Sequence, residues 1–172
     1  MYRMAERALR PAGFEHYEIA NWAKPGKRCE HNLAYWRNNQ WLGLGAGAHT
    51  HLGAGRSRRP ASLIAYLEAI ERGTPRIGDP KADEASDTAM LALRIDEGLD
   101  LGAYRARFGE AQTQRVHRAL ASTEGLGLVR WSGEVARLTP RGRLLASEVF
   151  VRLLDDDDPT TSTTRSTALA AT

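Results

Sequence analysis

A thiol, an imidazole and two aromatic rings share eight residues of this chain: Cys29, His31, Tyr35 and Trp36, in the run CEHNLAYW. A glycine-rich run, GLGAGAH, follows at residues 43–49, and His51 lies just beyond it. Cys29, His31, His49 and His51 are metal-binding residue types. Their softness favours zinc, and His49 and His51 would share one side of an extended strand. Their spacing, however, matches no established zinc pattern. Gly43, Gly45 and Ala48 satisfy a dinucleotide-binding fingerprint in form. That fingerprint needs a helix opening directly after it, and here Gly53 and Gly55 arrive before any apolar periodicity, so the reading fails on context. Plainer roles stay open: a histidine that donates to backbone carbonyls, aromatic rings that fill a core, and glycines at a tight strand crossing.

Composition limits these options. Cys29 is the single cysteine of 172 residues, which excludes an internal disulfide and any cluster that needs three or four thiolates from this chain. No run of eighteen apolar residues is present to span a bilayer, and the first seven residues, MYRMAER, carry charges where a signal peptide needs an apolar centre, so a cytoplasmic location is expected. The net charge of +3 is unevenly spread. Residues 1–59 carry 10 bases and 4 acids, residues 60–154 carry 13 of each, and the last 18 residues hold Asp155, Asp156, Asp157 and Asp158 against the lone Arg165. Four of the five histidines and three of the four tryptophans fall in the basic amino-terminal third, which makes that third the place to look for chemistry.

The elements that must position these residues can be read from periodicity and punctuation. Residues 2–10 read as a helix stopped by Pro11 and Gly13, residues 14–19 as a strand, and residues 41–45 as a second short strand. Between them a Pro25-Gly26 turn leads into a polar, aromatic loop that carries HNLAYW. Residues 53–60 read as a connection. The helix after it places Leu63, Tyr66, Leu67 and Ile70 on one buried face, and residues 73–80 form a turn-rich linker. Helices are expected over 84–95, 101–108 and 111–124, with Val116, Ala119, Leu120 and Thr123 sharing a face of the third. Residues 126–131 and 135–138 read as a β-hairpin. Thr139 and Pro140 then cap and start a last helix with Leu145, Val149 and Leu153 inward. Three helices, a hairpin and a terminal helix make a winged-helix-like module, and the acidic, Thr/Ser/Ala-rich tail at 155–172 is expected to be disordered.

The run YEIANWAKPGKRCEHNLAYW followed by WLGLGAGAH resembles bacterial haem chaperones related to oxygen-independent coproporphyrinogen-III oxidase, the HemW proteins of the radical-SAM family. The likeness continues more loosely through EGLDLGAYRARFG and RLTPRGRLLASEVF. It implies an α+β chain: the α/β edge of an incomplete (β/α) barrel, followed by a mostly helical winged-helix-like carboxy-terminal domain. The divisions expected are barrel strands and helix with the HNLAYW loop at 1–54, a helix and linker at 55–80, the winged-helix-like domain at 81–154 and the tail at 155–172. The resemblance makes His31 a haem-binding residue and the axial iron ligand. Tyr35 and Trp36 would cover part of the macrocycle, Lys24, Lys27 and Arg28 would meet its propionates, and Cys29 is the rival ligand. No CxxCH sequence is present, which favours exchangeable over covalent haem binding. The resemblance also sets Glu18, Ile19, Gly45 and Gly47 beside an S-adenosylmethionine pocket. Ala20 and Thr50 stand where the family pattern has serine.

Family members hold a [4Fe-4S] cluster in a CxxxCxxC loop that this chain lacks, so alone it is not expected to be catalytic. Its first residue falls within what would be a barrel helix, as expected of a fragmentary gene, a wrongly called start or one part of a split protein. The partners expected are haem, the missing radical-SAM half and a haem-accepting protein. Two competing readings accompany this one. The first is an inactive remnant that needs a partner to fold. The second is a winged-helix nucleic-acid binder presenting Gln112, Gln114, Arg115 and Arg118, against which residues 60–154 show no excess of base.

Overall fold

A computed structural model describes residues 1–53, 55–73, 76–78 and 83–154. The acidic tail and half of the linker expected at 73–80 lie outside the described residues. The order opens with helix α1 (Tyr2–Leu9) and the two-residue strands β1 (Glu15–His16) and β2 (Trp22–Ala23), which pair antiparallel. Of the strand expected over 14–19, only β1 and an isolated bridge from Glu18 to Ile95 form. Helix α2 (Glu30–Trp36) comes next, so HNLAYW is helical and the expected loop is corrected. Seven residues are too few to sustain a helix in water. Packing makes this one: Leu33 is buried with Tyr17, Ala23 and Ile95, and Trp36 packs against the same group.

Strands β3 (His49–Leu52) and β4 (Gly55–Arg58) form a hairpin, extended by β5 (Ile77–Gly78). The expected connection at 53–60 is therefore largely a strand. The strand expected at 41–45 reduces to a single bridge between Trp41 and His51. Helix α3 (Leu63–Glu71) forms where periodicity places it, but turned outward. Leu63, Ile64, Leu67 and Ile70 are 64%, 71%, 52% and 45% exposed, while Ala69 is buried and Ala65 and Tyr66 are half-buried. The expected buried face is corrected accordingly, since the pattern marks an apolar stripe without naming the neighbour that covers it.

The main core lies between helices α4 (Glu84–Ala92), α5 (Leu101–Glu124) and α7 (Ala146–Leu154) and a sheet ordered β6 (Leu99–Asp100), β8 (Val135–Leu138), β7 (Val129–Ser132). Asp83 caps α4 by accepting from the Ala85 and Ser86 amides, and Asp100 caps α5 through the Gly102 and Ala103 amides. Gly109, at φ 82° and ψ 172°, divides α5 into the two expected helices. Val116, Leu120 and Thr123 face the core, and Ala119 is partly buried against it. Thr139 caps α6 (Pro140–Leu144) by accepting from the Gly142 amide. The last helix is broken between α6 and α7: Val149 and Leu153 are buried, whereas Leu145, expected inward, stands at the break and is 41% exposed. No helix among the described residues is long and apolar enough to cross a membrane.

Candidate functional site

The two faces of α2 divide the expected haem contacts. One helical turn apart, His31 and Tyr35 lie on the outer face and meet edge to face, with centroids 4.9 Å apart and planes at 86°. Leu33 and Trp36 face the other way. His31 is exposed, and its ring nitrogens make no hydrogen bond among the described residues. Tyr35 continues into a file of rings, contacting Trp41 at 4.8 Å, which in turn contacts His51 at 5.0 Å. Trp41 is fixed by its indole N–H donating to the His49 carbonyl at 3.1 Å. His51 is 2% exposed, donates from Nδ1 to the Asn39 carbonyl at 3.1 Å and lies 3.9 Å from Glu84.

Trp36 is not brought together with His31. Its ring lies under the Arg94 guanidinium, 4.4 Å from the centroid, and its buried indole nitrogen has no partner among the described residues. Cys29 is an exposed free thiol at the amino-terminal cap of α2, two residues before His31. Of the three expected propionate contacts, two are already engaged. Arg28 grips Asp96 through two bonds of 2.9 and 2.8 Å and reaches Glu15 at 3.4 Å. The Asp96 hydrogen bond, above all, raises its already high pKa. Lys24 donates to the Ala12 carbonyl and lies 4.7 Å from the centre of the Phe14 ring. Lys27 is exposed and makes no ion pair among the described residues.

The residues expected beside S-adenosylmethionine do not present free polar groups. Glu18 is 0% exposed, with Oε1 accepting from Arg94 at 3.1 and 2.8 Å and Oε2 accepting from the Ala20 amide at 2.8 Å and from Asn21 at 2.6 Å. A carboxylate so occupied is a fastening rather than a ligand group. Ile19 packs against the main core, and its amide donates to the Arg94 carbonyl at 3.0 Å. Gly45 and Gly47 take φ values of 93° and 72°, and the Gly47 amide donates to the Pro60 carbonyl at 2.8 Å. At Gly43 a Cβ would fall 2.1 Å from the His49 carbonyl oxygen, so this run is a tight backbone crossing. Strand β3 follows it where a dinucleotide fold needs a helix.

The zinc and nucleic-acid readings both lose support. Among the described residues no group of three His, Cys, Asp or Glu side chains is placed to hold a metal ion, so Cys29, His31, His49 and His51 are not brought together there. On α5, Gln114 bonds Glu110, and Arg115 bonds Gln112 and Ser86, so three of the four groups offered to nucleic acid are engaged within the protein. Sequence reasoning missed Arg94 and Trp41. Trp41 carried a signal, an aromatic placed just before the glycine run; Arg94 carried none, because its partner Glu18 is 76 residues away.

Residues 79–145 match the HemN C-terminal domain. The fold resembles that of coproporphyrinogen III oxidase, HemN, from Escherichia coli, described as a radical SAM enzyme; the TM-score is 0.64 at 16% identity, over 88% of this chain and 39% of that one. These features define the class, a carboxy-terminal portion with HemN-type architecture. Heme chaperone HemW of Mycobacterium tuberculosis strain H37Rv is 38% identical over 157 residues, covering 89% of this chain and 38% of that protein. Heme chaperone HemW of Bacillus subtilis strain 168 is 30% identical over 160 residues, covering 91% and 42%. The chain therefore belongs to the HemW-type haem chaperone family and corresponds to a carboxy-terminal part of its members, spanning about two-fifths of the length of these two relatives.

Proposed function

We propose that this chain is the haem-holding, carboxy-terminal part of a haem chaperone, acting in the cytoplasm, with His31 as axial iron ligand and Tyr35 against the macrocycle. The observation that carries the reading is the outer face of α2, where an exposed imidazole, without a hydrogen-bonding partner among the described residues, is steadied by Tyr35. A neutral imidazole with a free ring nitrogen is a competent haem ligand, and an exposed one allows release as well as capture. Of the cationic side chains nearby, Lys27 is the one left to meet a propionate. Trp36, Glu18 and Ile19 act as structural supports of that face, and Gly45 and Gly47 shape the turn behind it. Residues 81–154 form a winged-helix-like support, and residues 1–54 the edge of a radical-SAM barrel. The cluster and its S-adenosylmethionine would be held by cysteines outside this chain, since Cys29 alone cannot ligate it.

A haemin titration of the purified chain tests this. A saturable Soret shift is expected in the unmodified chain and in Cys29→Ser, and its loss in His31→Ala. A shift that His31→Ala leaves unchanged overturns the ligand assignment.

A second reading has its own observation. The outward stripe of Leu63, Ile64, Leu67 and Ile70 is what a chain needing a covering partner would expose. On this reading the partner is the radical-SAM portion of the family, and the isolated chain would self-associate until that portion is supplied.

A further inference from the structure

Helices α1 and α6 border a groove made of cavities of about 550 and 620 Å³ that share Glu6, Arg10 and Pro140. Arg3 and Arg7 stand one helical turn apart on α1, and Arg141 lines the same cavity from α6. Arg143 of α6 and Arg130 of β7 line the other cavity. The carboxylates that line the groove are already engaged: Glu6 pairs with Arg10 at 3.2 Å, and Glu15 and Asp96 pair with Arg28 at 3.4 and 2.8 Å. Arg143 donates to the His16 carbonyl at 3.1 Å, and neither it nor Arg3, Arg7, Arg130 or Arg141 makes an ion pair among the described residues. Five guanidinium groups therefore line one concave surface with no carboxylate among the described residues to meet them.

We propose that this groove is a docking surface for an acidic polypeptide segment of a second protein. Charge complementarity carries the assignment. Like charges lining a cleft focus their field into it, and a guanidinium presents a planar fork of donors that matches a carboxylate. Two features favour a polypeptide over a nucleic acid as the source of the negative charge. First, binding of a single strand rests on open ring faces on which bases stack, and the rings along this groove are engaged by their neighbours. Tyr2 meets the His16 ring edge to face at 5.6 Å, His16 stacks on Trp22 at 4.0 Å, and Phe14 has the Lys24 ammonium 4.7 Å from its centre. Second, the lining alternates in character. Pro11, Pro140 and the 40% exposed Leu144 lie among the arginines, and Glu6 lies between the two cavities. An unbroken run of phosphates would meet that carboxylate and those apolar surfaces with charge. A peptide can set glutamate or aspartate against the arginines and aliphatic side chains against the prolines and Leu144. Contacts of this kind are individually weak and screened by salt, so the surface suits a partner that docks and leaves.

The test is fluorescence anisotropy of the full chain with a labelled peptide in which glutamates are interspersed with leucine and serine. A glutamine-for-glutamate version of that peptide and a short oligothymidylate serve as comparison probes. Wild type is compared with Arg7→Gln/Arg141→Gln in the groove and with Arg58→Gln/Arg118→Gln, which removes the same charge from exposed positions elsewhere. Circular dichroism checks that both variants keep the fold. Wild type is expected to bind the glutamate peptide saturably, and to bind it less tightly as salt rises from about 0.02 M to about 0.5 M, over which the Debye length falls from about 20 Å to about 4 Å. Loss of two charge pairs should weaken binding about tenfold in Arg7→Gln/Arg141→Gln, while Arg58→Gln/Arg118→Gln and wild type should agree. Equal weakening in the two variants, or equal binding of the glutamine peptide, overturns the proposal, because net charge alone or no charge at all would then account for the affinity. Oligothymidylate bound more tightly than the peptide, with the same dependence on Arg7 and Arg141, assigns the groove to nucleic acid and also overturns it. So does self-association of the wild type, without peptide, that Arg7→Gln/Arg141→Gln abolishes, since the occupant is then a second copy of this chain.

Discussion

Replacing Arg94 with alanine is the sharpest test of how the candidate site is held. Glu18 is fully buried, and Arg94 supplies both bonds to its Oε1. Removing one partner of a buried pair leaves an uncompensated charge and costs about 3 to 5 kcal/mol. The Arg94 side chain is 27% exposed, so water can partly replace it, and the lower end, about 3 kcal/mol, is expected. The cation–π contact over Trp36 is lost in the same substitution and adds up to about 1 kcal/mol. For a chain of this size each kcal/mol moves Tm by about 2 to 4 °C, so a total loss of about 3 to 4 kcal/mol is expected to lower Tm by about 6 to 16 °C. Urea unfolding at constant slope gives the free energy directly. Arg72→Ala is the matched control: its pair with Glu68 is one helical turn apart, exposed at both ends and expected to contribute about 0.5 kcal/mol or less. Adding Glu18→Gln to Arg94→Ala should recover part of the loss, because the stranded charge is gone. If Arg94→Ala costs no more than Arg72→Ala, the buried pair is not what fastens residues 17–19 to the end of α4.

Two further outcomes follow from local chemistry. Burial of the His16 ring, stacked on Trp22 at 4.0 Å, holds its pKa below the ordinary value, outweighing the hydrogen bond to the Ile19 carbonyl. The folded chain then takes up this proton less readily than the unfolded chain, so stability is complete above about pH 6.5 and falls as pH drops from there through the lower folded value. His16→Gln should flatten that part of the urea-midpoint profile, and an unchanged slope would refute the assignment. At Gly142 an added Cβ would lie 1.9 Å from the Leu128 carbonyl oxygen, a backbone atom already held by the Thr139 amide. Gly142→Ala should therefore cost about 1 to 3 kcal/mol or more. Gly125→Ala, with open space and no positive φ, should be neutral or slightly stabilising in the same melts.

Much of the carboxy-terminal fold was legible because its signals are local. Thr139 and Pro140 mark a helix start within two residues, Gly109 marks a break that only its φ requires, and Val116, Leu120 and Thr123 mark one face by spacing alone. Where the signal depends on a distant neighbour, the reading fails. The stripe of α3 is real, but Ala65, Tyr66 and Ala69 are the residues turned inward, and spacing alone does not say which side a neighbour covers. HNLAYW is a helix because Tyr17, Ala23 and Ile95 make a seat for Leu33, and no seven-residue period announces that. The motif singled out His31 and Tyr35, which the structure places together on the outer face of α2. The pairing of Arg28 and Glu18 was not legible, because their partners Asp96 and Arg94 lie 68 and 76 residues further along.

Those long-range partners share a destination. Glu18 ends on Arg94, Arg28 on Asp96, Arg37 on Glu97, Arg56 on Asp87 and Asn38 on Thr88. All five fix residues of the amino-terminal third to α4 or to the few residues that follow it. Within the span that matches the HemN C-terminal domain, residues 84–97 are therefore the ledge on which α2 rests, and the apolar seat of Leu33 and Trp36 completes it through Ile95. With one face of α2 committed to that ledge, the face bearing His31 and Tyr35 is turned to solvent. A short helix that would not persist alone thereby offers its imidazole in a fixed direction, which is what the proposed role of His31 as a haem ligand would use.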